Sequence, residues 1–435
     1  MDNWIKKDLK FIWHPYTQMK DCRESPPVLI DRAEGIKLYD TRGNFYYDSI
    51  SSWWCNVHGH NHPKIKKAIN KQLNSLEHIL FAGFTHKPAI LLAEKIVSLA
   101  PKKLTKVFFS DNGSTSVEVA LKMSFQYWQN TGRVKKTKFI ALDYAYHGDT
   151  IGAMSVSGVD LFNKIFQPLL FSSFKVPSPY CYRCPKNKDQ ATCDIECISS
   201  LEKLLKEKAD SICAIILEPL VLAAGGMIIY PKEYLSRAAK LAKKFNVHLI
   251  LDEVATGFGR TGKMFACQYI DGIEPDFLCL SKGITAGYLP MGLTLTTDKI
   301  YKGFYADDEK RKTFYHGHTY TANPVSCSAA LASLEIFEKE DTLDKVKKLV
   351  PLFYAGMERF RGLSIVGDVR YLGFIGAIEL VNDRRRTEIY KNGLKNNIIL
   401  RPLGSIVYFF LPLCIKRNEL EDILERGYSA ICVKL

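Results

Sequence analysis

Short apolar runs rich in β-branched and aromatic residues alternate with amphipathic stretches between about residues 100 and 300. The runs are KVFFS, KFIALD, ICAIILEP, VHLILDE, FLCLS and GLTLTT, and segments such as SVEVALKMSFQYW and KEYLSRAAKLAKKF between them carry apolar positions at helical spacing. Runs this short and this apolar predict strands buried on both faces. Their alternation with amphipathic segments predicts an α/β fold, a mostly parallel sheet covered on both sides by helices. After about residue 325 the pattern changes to a long helical stretch, PVSCSAALASLEIFEKE, then strand-like GFIGAIELV and IVYFFLP with another amphipathic helix between them. That predicts a second, smaller α+β domain. IKLYD and NFYYDSI, set around a TRGN turn, fall outside the alternation. The expected organisation is an N-terminal segment, residues 1–60, packed with the C-terminal part, a large domain over 61–325 and a small domain over 326–435.

In sheets of this kind chemistry gathers at the carboxyl ends of the strands. HLILD ends in Asp252, and the strand-like FLCLSK ends in Lys282. By themselves these two residues fit a structural ion pair as well as a functional one. After KVFFS comes DNGSTSVEVALK, in which Gly113, Ser114 and Thr115 open a helix whose free N–H groups and dipole suit an anion, although an ordinary helix cap has the same look. An amine able to form a Schiff base, a carboxylate able to keep a ring nitrogen protonated, and a helix end able to hold a phosphate are together what pyridoxal 5'-phosphate requires. FIALDYAYHGDT offers Tyr146, just beyond another strand, as a stacking partner for a flat ring.

The chain of 435 residues is 47% hydrophobic and 24% charged, which suits a soluble globular protein of two or more domains. It has no apolar run of membrane-spanning length, and the start, MDNWIKKDLKFIWHPYTQMK, is charged where an export signal would be apolar. A cytoplasmic protein without membrane contact is expected. The formal charge of +14 is spread over scattered groups, KIKK, KKTK and KVKKL, with no basic stripe interleaved with aromatics, so no nucleic-acid partner is expected. Most of the twelve cysteines lie in apolar segments and read as reduced thiols. Four stand apart: Cys181, Cys184, Cys193 and Cys197, in PYCYRCPKNKDQATCDIEC, have spacings within the range that ligates zinc. A structural zinc and unliganded thiols both remain open there, and no metal is expected in the catalytic site.

LILDEVATGFGRTG, LSKGITAG, DNGSTSVEVALK, YHGDTIGAMSVSG, LEPLVLAAGGM and HGHTYTANPVSC together resemble the class III, or ω-amino, aminotransferases of the fold type I pyridoxal-phosphate group. The resemblance runs in order through nearly the whole chain. WHPYTQMKD and ISSWWCNVHGHNHP resemble the biotin-pathway branch of that family, which converts 8-amino-7-oxononanoate to 7,8-diaminononanoate. The resemblance implies that Lys282 forms the Schiff base and shuttles the proton, that Asp252 pairs with the ring nitrogen, and that Tyr16 belongs with them among the catalytic residues. It implies a homodimer with shared sites, in which Gly113 and Ser114 hold the phosphate with help from His318 and Thr319 of the other chain. Tyr146 would lie against ring and substrate, and Tyr16, Trp53, Gly317 and Arg401 would contact the oxo acid. S-adenosylmethionine is the donor the resemblance favours, with lysine as the alternative. Another ω-amine aminotransferase is the competing activity, against which Tyr16 and the Trp53–Trp54 pair argue.

Overall fold

The computed structural model describes residues 2–432. Near the N-terminus, β1 (Ile30–Glu34), β2 (Lys37–Asp40) and β3 (Phe45–Tyr47) form an antiparallel meander. The chain then lays down β4 (Leu104–Ser110), β5 (Lys138–Leu142), β6 (Phe174–Val176) and β7 (Ile212–Leu217), and a small ribbon of β8 (Val221–Leu222) and β9 (Ile228–Ile229). There follow β10 (His248–Asp252), β11 (Phe277–Leu280) and β12 (Gly292–Thr297), and last β13 (Val366–Leu372), β14 (Ile375–Leu380) and β15 (Ile406–Phe410), which make an antiparallel sheet of their own.

The central sheet has seven strands in the order β4-β12-β11-β10-β7-β5-β6. Its inner strands are apolar because both faces are covered: every residue of β7, β10, β11 and β12 is buried. Pairings among β11, β10, β7, β5 and β6 are parallel, whereas β12 runs antiparallel to both β11 and β4. A parallel return would need a crossover helix, and the short connection 281–291 has none, so the chain doubles back. The helix Lys232–Lys244 shows how the covering works, burying Tyr234, Leu235, Ala238 and Ala242 on one face and leaving its lysines outside.

Parallel strands bring their carboxyl ends to one edge of the sheet. The segments that follow β5, β7, β10 and β11 therefore meet there, although they are far apart in sequence. The N-terminal meander joins the C-terminal region through backbone bonds, Tyr47 N–H to Asn397 O at 2.8 Å and Ile399 N–H to Tyr47 O at 3.0 Å. Helix Pro324–Lys339 is buried along most of its length, including Val325, Ala329, Ser333 and Phe337.

Candidate active site

A cavity of about 580 Å³ opens at the carboxyl edge of the sheet, and Gly113, Ser114, Tyr146, Glu218, Asp252 and Lys282 all line it. Lys282 does not end its strand. β11 stops at Leu280, and the lysine opens a 3-10 turn, Lys282–Thr285, with φ 47°. A non-glycine residue in the left-handed region is strained, and such strain collects where the surrounding fold dictates a direction for the side chain. Here the lysine Nζ stands 4.5 Å from the centroid of the Trp54 ring. Burial lowers its pKa from the ordinary lysine value, opposed by the Asp252 and Glu218 carboxyls.

Asp252 is held from two sides. The His147 Nδ1 lies 2.7 Å from Oδ2, and the Val254 N–H donates to Oδ1 at 3.1 Å. An ionised carboxylate only accepts, so Nδ1 carries the proton in that bond. Both side chains are buried, and the His147 Nε2 is a buried atom without a partner among the described residues. Glu218 was not singled out from the sequence. It is 3% exposed, and burial followed by the nearby Asp252 carboxylate pushes its pKa up to about 8. A signal existed: Glu218 follows the apolar run ICAIIL just as Asp252 closes HLILD.

The anion-binding end is the start of helix Gly113–Asn130. Asn112 caps it, its Oδ1 accepting the Thr115 N–H at 3.0 Å while the Thr115 Oγ1 accepts the Asn112 N–H at 3.0 Å. That reciprocal pair occupies Thr115. Two glycines permit the close packing here. A Cβ on Gly113 would lie 2.5 Å from the Val254 Cγ1, and one on Gly148, whose φ is +128°, would lie 2.2 Å from the Ser114 Oγ. His318 brings its Nδ1 within 3.1 Å of the Asp111 Oδ2, next to the helix start. Gly317 and Thr319 are exposed and do not line the cavity of their own chain.

Tyr16, Trp53 and Arg401 do not line the cavity themselves but stand beside it, joined to Tyr146 and Asp149 of its lining through Tyr16. The Tyr16 hydroxyl donates to the Asp149 carboxylate at 2.7 Å and lies 3.2 Å from the Tyr146 hydroxyl. Burial, reinforced by Asp149, pushes the Tyr16 phenol up to about 12, and Tyr146 is raised as well, by burial first. The Tyr16 ring meets Trp53 edge-on at 5.7 Å, and the Arg401 guanidinium stands 4.4 Å from the Trp53 centroid. Trp53 and its neighbour Trp54 point to different parts of the site because the backbone kinks through this stretch, with φ 60° at Ser52, −146° at Trp53 and 67° at Trp54. Buried Asp48 holds the kink, accepting from the Ser52 N–H at 2.7 Å and the Ser52 hydroxyl at 2.8 Å. Arg260 supports it from beneath with a 2.9 Å bond to the Ser51 hydroxyl. Asp149 and Phe162, which packs edge-on against both Tyr16 and Tyr146, were also missed from the sequence. Asp149 follows Tyr146 closely in YHGD, whereas Phe162 lies in a stretch with no distinguishing pattern.

An amine with a lowered pKa, a carboxylate fixed by an imidazole and a helix end stripped of side-chain bulk face one cavity. These fit an aromatic aldehyde with a basic ring nitrogen and a phosphate, which is the chemistry of pyridoxal 5'-phosphate. Among the described residues no group of three or more His, Cys, Asp or Glu could hold a metal ion, and Cys181, Cys184, Cys193 and Cys197 are free thiols.

Comparison with known proteins gives concordant matches. The profile of the family described as aminotransferase class-III matches residues 19–431. An adenosylmethionine-8-amino-7-oxononanoate aminotransferase from Geobacter sulfurreducens is 44% identical over 430 residues, covering 96% of this chain and 95% of the relative. A protein of the same name from Aquifex aeolicus is 45% identical over 432 residues, covering 97% and 95%. Among solved structures, the crystal structure of the aminotransferase of that name from Methanocaldococcus jannaschii superposes with a TM-score of 0.93 at 42% identity, over 98% of each chain. The ω-transaminase of Pseudomonas jessenii, in complex with PMP, superposes with a TM-score of 0.94 at 31% identity, over 99% of this chain and 98% of that one.

Proposed function

Since this chain belongs to the class III aminotransferases, we propose that it transfers an amino group to 8-amino-7-oxononanoate, giving 7,8-diaminononanoate for biotin synthesis, with S-adenosylmethionine as donor. The observation that carries the reading is identity of 44–45% along nearly the whole chain to relatives named for that reaction. The grouping of Tyr16, Trp53 and Arg401 beside Tyr146, which lines the cavity, supports it.

The cofactor is pyridoxal 5'-phosphate, which when bound supplies an aldehyde that accepts the amino group and a ring that withdraws electrons from the reacting carbon. Gly113 and Ser114 offer N–H groups and a hydroxyl to the phosphate at the positive end of an 18-residue helix. Asp252, kept in place by His147 and Val254, provides the negative charge that a protonated ring nitrogen requires. The Lys282 Nζ, made easier to deprotonate by burial, is the base that takes the proton from the α carbon of the donor. Arg401 binds the carboxylate of the oxo acid with its planar fork, held in place by stacking on Trp53. Tyr16, Tyr146 and Asp149 form a hydroxyl–carboxylate group that orients the amine and ketone of the substrates.

The working form is proposed to be a homodimer in which His318 and Thr319 complete the partner's phosphate site, with Gly317 beside them. Thr319 and Gly317 are exposed in the single chain, in a region with other exposed apolar side chains that an interface would cover: Tyr315, Tyr320 and, from the segment 80–91, Phe84, Ile90 and Leu91. The protein is proposed to work in the cytoplasm, and no helix among the described residues is long and apolar enough to cross a membrane.

The test is a single-turnover experiment. Pyridoxal-phosphate-loaded protein is mixed separately with S-adenosylmethionine, lysine and a simple ω-amine, and conversion of the bound cofactor is followed by its absorption. Rapid conversion with S-adenosylmethionine, followed by recovery on adding 8-amino-7-oxononanoate, is expected. Conversion by lysine alone would change the donor, and failure of 8-amino-7-oxononanoate to restore the starting spectrum would overturn the acceptor.

A further inference from the structure

One buried acid in the cavity, Glu218, takes no part in the steps above. It lies directly after β7, and both of its oxygens are used: Oε1 accepts the Tyr146 N–H and Oε2 accepts the Ala223 N–H, each at 2.9 Å. It thereby ties the loop after β5 to the loop after β7. Those loops are already pressed together, since a Cβ on Gly225 would lie 1.8 Å from the Tyr144 carbonyl oxygen. Several titratable groups surround it. Asp252 from β10, Lys282 from the turn after β11 and His147 from the loop after β5 line the same cavity as Glu218, His147 being bonded to Asp252, and Tyr230 donates its hydroxyl to the Glu218 backbone carbonyl at 2.6 Å. Arg260 and Cys55 also act on the same lysine.

Two carboxyl groups and one amine inside a single desolvated cavity cannot all ionise independently, so their protons are coupled. We propose that Glu218 is a positioning residue that acts through Lys282, sharing one proton with it. When the lysine nitrogen is charged, Glu218 is the balancing carboxylate; when the lysine is neutral, the Glu218 carboxyl holds the proton. No other bond changes, and the total charge of the cavity is the same in both arrangements. The titration directions agree, because burial and Asp252 push Glu218 up to about 8 while burial brings Lys282 down. The same carboxyl seats Tyr146, so the proton store and the ring that faces the substrate are held by one group.

This inference rests on the transaminase reading, and its test separates the two. The visible absorption of the pyridoxal-phosphate-loaded protein reports the proton on the Lys282 nitrogen and is titrated with pH, without any turnover. The wild-type curve should be broader than that of a single proton, because ionisation of Glu218 helps the lysine nitrogen keep its proton. Glu218→Gln should give a narrower, one-proton curve with its midpoint lower by about one pH unit, the effect of removing one charge from a partly desolvated site. Glu218→Asp keeps a carboxylate and should retain the broad curve even though the shorter side chain loosens the two loops. A Gln variant with the wild-type midpoint and width overturns the proposal. If Glu218→Gln does not fold, the Asp variant decides, a narrow curve overturning the proposal and a broad one supporting it. A wild-type protein that shows no visible band with the cofactor would overturn the transaminase reading itself, and the inference with it.

Discussion

Replacing Gly148 by alanine should loosen the cofactor site without touching any group that does chemistry. Gly148 has φ +128°, and a Cβ there would come within 2.2 Å of the Ser114 Oγ, 2.6 Å of its Cβ and 2.9 Å of its Cα. Rotation of the serine side chain relieves only the first contact, because the Cβ and the backbone Cα are fixed to the helix start. Either the loop or the first turn of helix Gly113–Asn130 must move. The unfavourable φ costs about 1–3 kcal/mol and the overlap about as much again. If roughly 3 kcal/mol of this falls on the phosphate-binding geometry, affinity for pyridoxal 5'-phosphate drops about 150-fold, at about 1.4 kcal/mol per factor of ten. Gly43→Ala is the control. It shares a positive φ, +86°, but has nothing within 4 Å of the added carbon, so it should lose about 1 kcal/mol of stability at most and bind cofactor normally. Cofactor affinity is read by absorption titration of stripped protein, and stability by denaturant unfolding of the same samples. A Gly148→Ala protein that binds pyridoxal 5'-phosphate within twofold of wild type would refute the reasoning.

Asp252→Asn removes the negative charge while keeping the shape, so the variant should bind cofactor yet turn over at least about 100-fold more slowly, a loss of some 3 kcal/mol in transition-state stabilisation; near-normal turnover would contradict its assigned role. Arg401→Ala should raise the KM for 8-amino-7-oxononanoate by about tenfold or more, as expected for loss of a charged hydrogen-bonded pair, with little change in the half-reaction of a simple amine that has no carboxylate. Equal damage to both half-reactions in rapid-mixing experiments would mean that the arginine supports the fold instead. Lys282→Ala and Thr319→Glu should each inactivate the homodimer, and mixing the two by refolding should return about a quarter of the sites to normal activity, because half of randomly paired dimers are hybrids with one intact site. Hybrids that form and stay inactive would place Thr319 in the site of its own chain.

The sequence by itself determined most of the elements and where the candidate site residues lie along them. Apolar runs such as ICAIIL and HLILD, too short for a helix and, in ICAIIL, rich in β-branched residues, read as strands buried on both faces, and they are. Lys282, Asp252, Gly113, Ser114 and Tyr146 follow or open such elements, and the cavity brings all five together. Tertiary structure decided the rest. The place of β12 between β11 and β4 depends on which strands become neighbours, which no local pattern encodes. The left-handed backbone at Lys282 and the kink that parts Trp53 from Trp54 are strained conformations imposed by packing against local preference. His147 reaches Asp252 from 105 positions away, and Tyr16 reaches Asp149 from 133. Glu218 acquires its raised pKa only when folding sets it beside Asp252 and shuts out water. A carboxyl's place in the chain was legible in advance, but its charge state was not, because that depends on neighbours and solvent exclusion that exist only once the sheet has assembled.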